Sequence, residues 1–97
     1  MRVEIYSKPD CSLCDEAKRL LLALQRQIPF ELLERNIEDD IQLFERYRYD
    51  IPVVFIDGQK AFKHRLDPDR ARERLLRGGG TLVAPNLPAV SNKIPKL

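Results

Sequence analysis

The segment YSKPDCSLCDEAKRLL, residues 6–21, decides the fold. It sets Cys11 and Cys14 one helical turn apart, and these are the only two cysteines in a chain of 97 residues. Just upstream, RVEIY alternates and carries β-branched and aromatic residues, which predicts a first strand over Arg2–Tyr6. The turn-forming run Ser7-Lys8-Pro9-Asp10 breaks that strand. Downstream, Leu13, Ala17, Leu20, Leu21, Leu24 and Ile28 recur at intervals of 4, 3, 1, 3 and 4, one apolar face of a helix. Asp15 and Glu16 in its first turn suit the helix dipole, and Pro29 is expected to end it. The cysteine pair therefore falls at a strand-to-helix turn, not in mid-helix.

The remaining elements follow from the same patterns. FELLERN predicts a second strand, Phe30–Asn36. EDDIQLFERYRY has acids first, basic residues last, and Ile41, Phe44 and Tyr47 at helical spacing. IPVVFIDG is a β-branched run led by Pro52 and closed by Asp57-Gly58, a third strand with a hairpin turn, and QKAF is a short fourth strand. LDPDRARERLLRGG is a helix with Asp67 as N-cap, Pro68 at its first position, Leu75 and Leu76 inward, and Gly78 at its stop. The order is β-α-β-α-β-β-α. Alternation of the first three strands with helices favours parallel neighbours, and the Asp-Gly turn adds an antiparallel one. Residues 1–77 form one expected domain. Residues 78–97, with three consecutive glycines and three of the seven prolines, read as a flexible tail.

Charge excludes some classes of function. Of the 17 basic residues, Lys93 and Lys96 lie in the last twenty positions, so residues 1–77 carry fifteen bases against fifteen acids. That balance argues against binding to nucleic acid or to a membrane surface. No apolar run approaches the ~20 residues of a membrane helix, and the N-terminus lacks a signal-peptide core. The expected setting is the cytoplasm. In such a reducing compartment a lone C-x-x-C is more often catalytic or metal-binding than a structural staple.

At the start of a helix, unpaired N–H groups and the positive end of the dipole point at the sulfur of Cys11 and favour its thiolate. Lys8 adds a positive charge upstream, while Asp10 and Asp15 oppose it. Cys14, one turn later, is placed to attack a mixed disulfide on Cys11 and release the reduced substrate. The plainer reading is two small buried hydrophobes. A closed zinc site takes about four ligands, and the chain offers two cysteines and a distant His64. Lys60, Lys63, His64 and Arg65 form a basic run that fits either an acidic partner or, more simply, a charge-protected sheet edge. Arg46 and Arg48 precede Pro52 and suit either an anionic ligand or a helix C-terminus.

Together, the strand–C-x-x-C–helix opening and the later Ile51-Pro52-Val53 with its hairpin resemble the thioredoxin fold. YSKPDCSLC is similar to the opening of the glutaredoxin family: an aromatic residue, a lysine, a proline, one further residue, then C-x-x-C. The resemblance spans about residues 1–77. It implies an α/β thioredoxin-like domain with a four-stranded mixed sheet, Cys11 as nucleophile and Cys14 as resolving cysteine. It implies that Lys8 lies in the substrate site, that Pro52 is cis and faces the cysteines, and that the Ile51 backbone pairs with an extended peptide or glutathione. The chain departs from the family in two places. A Gly-Gly-Cys/Ser-Asp turn that holds glutathione is replaced by KAFKHRLDPDR, and Ser12-Leu13 between the cysteines resembles a divergent C-x-L-C branch.

The function expected is thiol–disulfide exchange on protein or glutathione mixed disulfides. It uses no permanently bound cofactor and no metal, with glutathione or a thioredoxin-like protein as reductant, in a monomer. The rival readings are a non-catalytic thioredoxin-fold binding module and an iron–sulfur or metal carrier using the same cysteines.

Overall fold

Strand β1, Arg2–Ser7, sends Val3, Ile5 and Ser7 to a buried face and leaves Glu4 and Tyr6 half-buried on the other, as its alternation requires. Helix α1, Ser12–Gln25, crosses to strand β2, Glu31–Asn36, which pairs with β1 in parallel from Arg2–Glu31 to Ser7–Asn36. A 3₁₀ turn, Ile37–Asp39, leads into the short helix α2, Ile41–Tyr47. Strands β3, Val53–Ile56, and β4, Gln59–Lys63, form a hairpin, and helix α3, Pro68–Arg77, follows. This computed structural model describes residues 1–80. The element order is the one expected, and the four-stranded mixed sheet runs β2-β1-β3-β4.

One strand runs against expectation. β3 lies antiparallel to β1, with Tyr6 opposite Val53 and Val3 opposite Ile56. The reason is the shortness of the helix before it. Six residues of β2 span roughly 20 Å, whereas the seven residues of α2 rise only about 10 Å. The connection therefore stays at the end of the sheet where β1 and β2 finish, and β3 starts there.

The sheet carries a core on each face. Val3, Ile5, Val54 and Ile56 pack with Ala17, Leu21 and Leu24 of α1 and with Ala71 and Leu75 of α3. On the opposite face Val53, with half-buried Tyr6 and Phe55, packs with Tyr47 of α2, Ile37, Ile51 and Cys14. Burying each large apolar side chain contributes about 1.5–3 kcal/mol. The cysteine pair belongs to this second, smaller core.

Several local details refine the reading of the sequence. Helix α1 stops at Gln25, before Pro29, yet the Ile28 N–H still bonds the Leu24 carbonyl at 2.8 Å and keeps Ile28 in the core. Phe30 is buried but precedes β2 rather than starting it. Ile41 lies outside the core at 67% exposure, because α2 turns only its C-terminal end, Tyr47, fully inward. Asp57 and Gly58 both take positive φ, 49° and 84°, the mirror-image turn of a tight hairpin. The Asp57 carboxylate also accepts the Arg2 N–H at 2.8 Å. In α3, Asp67 accepts from the N–H groups of Asp69 and Arg70, at 2.9 and 3.3 Å, as a capping residue should.

Gly78, Gly79 and Gly80 belong to the packed unit. The Gly79 N–H bonds Leu76 and the Gly80 N–H bonds Leu75, a Schellman cap with Gly79 at φ 104°. Gly80 touches Met1 and Ile28 so closely that a Cβ there would stand 2.6 and 2.7 Å from their side chains. The expected tail thus gives up its first three residues to a helix cap; the rest, 81–97, lies outside the described residues.

Candidate active site

Asp10 turns the chain from β1 toward α1. Its φ of 60° is left-handed, a conformation aspartate tolerates better than most residues. Cys11 is then extended, at φ −118° and ψ 104°, and serves as the N-cap of α1. Its carbonyl accepts the first helical bond from Asp15, and its Sγ accepts the Cys14 N–H at 3.2 Å. Serine or aspartate usually fills this position; here a sulfur does. Cys14 is wholly buried while Cys11 is half-buried. Their Cα atoms stand 5.2 Å apart and their sulfurs are at disulfide distance.

The segment before β3 lies in the same core. Ile51 is buried beside Cys14, and the Ile51–Pro52 peptide is cis. The Ile51 N–H is tied to the Tyr47 carbonyl at 3.1 Å. The Pro52 carbonyl accepts the His64 N–H at 2.8 Å, and His64 reaches it by taking a φ of 66°. The His64 side chain itself is half exposed and faces Asp50 at 3.9 Å. Lys8 is half-buried on the turn before Cys11 and is in no ion pair among the described residues.

Lys63 and Arg65 stay exposed at the end of β4, which is an edge strand, as a charge-protected edge requires. Asp67 spends its carboxylate on the first N–H groups of α3. Among the described residues, no group of three or more His, Cys, Asp and Glu is placed to hold a metal ion. No described helix is long and apolar enough to cross a membrane.

Two groupings are not legible from spacing. The first joins β1, β2 and α1. Buried Ser7 donates its hydroxyl to Glu34 at 3.1 Å, and Lys18 donates to the same carboxylate oxygen at 2.7 Å. The hydrogen bond from Lys18 holds Glu34 below the usual carboxylate range, and the same bond raises Lys18. Lys18 follows Cys14 by one turn, so this network fastens the cysteine-bearing end of α1 to the sheet. The second is an aromatic cluster. The Tyr6 ring lies 5.1 Å from those of both Tyr47 and Phe55, edge-on to Tyr47. Burial there raises the Tyr6 phenol, and the nearby Glu4 charge raises it further. Tyr6 and Tyr47 stand near the C-terminal ends of β1 and α2 but Phe55 lies inside β3, so no one positional signal unites the three rings.

A mixed four-stranded sheet with a C-x-x-C pair capping its first helix defines a thioredoxin-like protein of glutaredoxin type. Residues 2–76 match the family described as Glutaredoxin-like domain (DUF836). The chain belongs to this glutaredoxin-like family. It is 32% identical over 76 residues to the "Glutaredoxin-like protein YDR286C homolog" of Dictyostelium discoideum, covering 72% of this chain and 70% of that one. The X-ray structure of protein XcR50 from X. campestris is similar, with TM-score 0.67 and 26% identity over 77% of this chain and 96% of that one. The thioredoxin-like protein BC3987 shares the fold, with TM-score 0.54 and 23% identity over 75% of this chain and 97% of its own.

Proposed function

We propose that this protein is a thiol–disulfide oxidoreductase in which Cys11 attacks and Cys14 resolves. The observation that carries the reading is the asymmetry of the pair. The Cys11 sulfur sits half-buried at the N-terminus of α1, bonded to the Cys14 N–H at 3.2 Å, and the Cys14 sulfur is fully buried. In the reduced protein the same N–H and the helix dipole stabilise negative charge on Cys11.

The exchange runs in two displacements. The Cys11 thiolate attacks one sulfur of a substrate disulfide, forms a mixed disulfide and expels the other sulfur as a thiolate, which takes a proton from water. Cys14 attacks the Cys11 sulfur, which closes the Cys11–Cys14 disulfide and expels the second substrate sulfur; the proton of the buried Cys14 thiol goes to that departing sulfur. Two electrons pass from the pair to the substrate, and a thiol reductant of the glutathione or thioredoxin class restores the pair. Ile51 and Pro52 form the wall of the substrate groove, the Ile51 carbonyl accepts from the substrate chain while its N–H stays on Tyr47, and Lys8 holds substrate charge near Cys11.

Trapping tests the assignment. Cys14→Ser is expected to hold substrates disulfide-linked to Cys11, releasable by dithiothreitol. Capture by Cys11→Ser in place of Cys14→Ser would overturn the roles.

A further inference from the structure

We infer that the cationic aromatic surface beside the cysteine core is a docking site for acidic polypeptide, so that the substrates are protein disulfides flanked by Asp and Glu. This inference rests on the exchange reading above and specifies its substrate class. Arg46 of α2 and Lys60 of β4 converge on the Tyr47 ring, at 5.6 and 5.9 Å from its centroid. Arg48 lies over Phe44 at 5.5 Å and over Tyr49 at 4.6 Å. Tyr47 is itself buried in the same core as Cys14 and Ile51, so these cations lie on the face of the sheet that carries the cysteine pair.

Three features favour an acidic polypeptide. First, none of the three cations is in an ion pair among the described residues, and residues 81–97 contain no Asp or Glu to supply one. Nearby Asp50 faces His64 and Asp40 caps α2, which leaves Glu45 as the opposing charge on the same helix. Second, the rings hold the cations in place, so less side-chain freedom is lost when an anion binds. Third, Tyr49 is 78% exposed and offers apolar surface next to Arg48, the pairing of aromatic and Arg that interfaces favour. Charge of one sign around a site steers partners of the other sign and sets specificity.

The test uses dye-labelled peptides with serine in place of cysteine, so that binding is read without exchange. An acidic peptide and its Glu→Gln counterpart are compared by fluorescence anisotropy on the full chain. The acidic peptide is expected to bind about tenfold more tightly at low salt, three exposed charge pairs acting together. The advantage should vanish in Arg46→Gln/Arg48→Gln/Lys60→Gln and shrink in the milder Lys60→Gln. Equal binding of the two peptides, or an advantage that survives the triple variant, overturns the inference. A second arm measures reduction of acidic, neutral and glutathione disulfides. Equal turnover of all three sinks this inference alone. Absence of turnover with peptide selectivity intact sinks the exchange reading and leaves the docking site standing.

Discussion

The backbone N–H of Cys14 donates to the Sγ of Cys11 at 3.2 Å, so one cysteine caps the helix in which the other is buried. The proposed exchange chemistry and the stability of the helix would thus share an atom. In the reduced protein, Cys11→Ser keeps an oxygen acceptor at the cap and Cys11→Ala removes it. Denaturation in reductant should find the alanine variant less stable than the serine variant by about 1 kcal/mol. Equal stabilities would show that the position does not cap α1 in solution.

The Lys18–Glu34 pair sets a pH window. Glu34 is lowered by Lys18, so its contribution is present above the ordinary carboxylate pKa and is lost as pH falls through the folded value. Lys18 is raised by Glu34, so its share is full below the ordinary lysine pKa and is lost as pH rises through the folded value. The window therefore spans about pH 4 to pH 10. Lys18 is 30% exposed and Glu34 50%, so solvent screening leaves a coupling of about 0.5 kcal/mol. A double-mutant cycle with Lys18→Met and Glu34→Gln should recover that coupling at pH 7 and lose it as pH falls below the ordinary carboxylate range and Glu34 takes up its proton.

Gly79 and Gly80 are expected to matter for different reasons. Gly79→Ala places a side chain at φ 104° with open space around it and should cost about 1 kcal/mol through the backbone alone. Gly80→Ala drives a Cβ to 2.9 Å from the Leu75 carbonyl as well as against Met1 and Ile28. Overpacking of that kind costs about 1–3 kcal/mol. Chemical denaturation of both variants checks this, and a neutral Gly80→Ala would place the residue outside the packed unit.

Asp67→Ala removes the acceptor for two N–H groups at the start of α3 and should destabilise the fold by about 1 kcal/mol. The alkylation rate of Cys11 should not change, because α3 packs in the other core. A large change in that rate would mean that Asp67 serves the redox site as well as the helix.

What the sequence disclosed was mostly local. Helix α3 was legible in full because Asp67, Pro68 and the glycines act within a few residues of one another. The cysteine pair was legible for the same reason: strand, turn and helix signals all fall within residues 2–24. The direction of β3 was hidden because it depends on which end of the sheet the α2 link occupies, a matter of three-dimensional length rather than pattern. Gly78–Gly80 read as the start of a flexible tail because composition does not show that Met1 and Ile28 lie against Gly80. The Ser7–Glu34–Lys18 network and the meeting of Arg46 and Lys60 on Tyr47 each join separate elements, and no spacing rule reaches across them.

The central claim is that this pair exchanges with disulfides through Cys11. The most direct measurement mixes the reduced chain with a peptide–glutathione mixed disulfide and follows both partners by alkylation and mass spectrometry. The account predicts that each chain loses two alkylatable thiols, gains the Cys11–Cys14 disulfide and frees the peptide thiol, and that Cys11→Ser does none of this. Thiols that stay fully alkylatable in the wild type, or oxidation that proceeds as fast in Cys11→Ser, would contradict it.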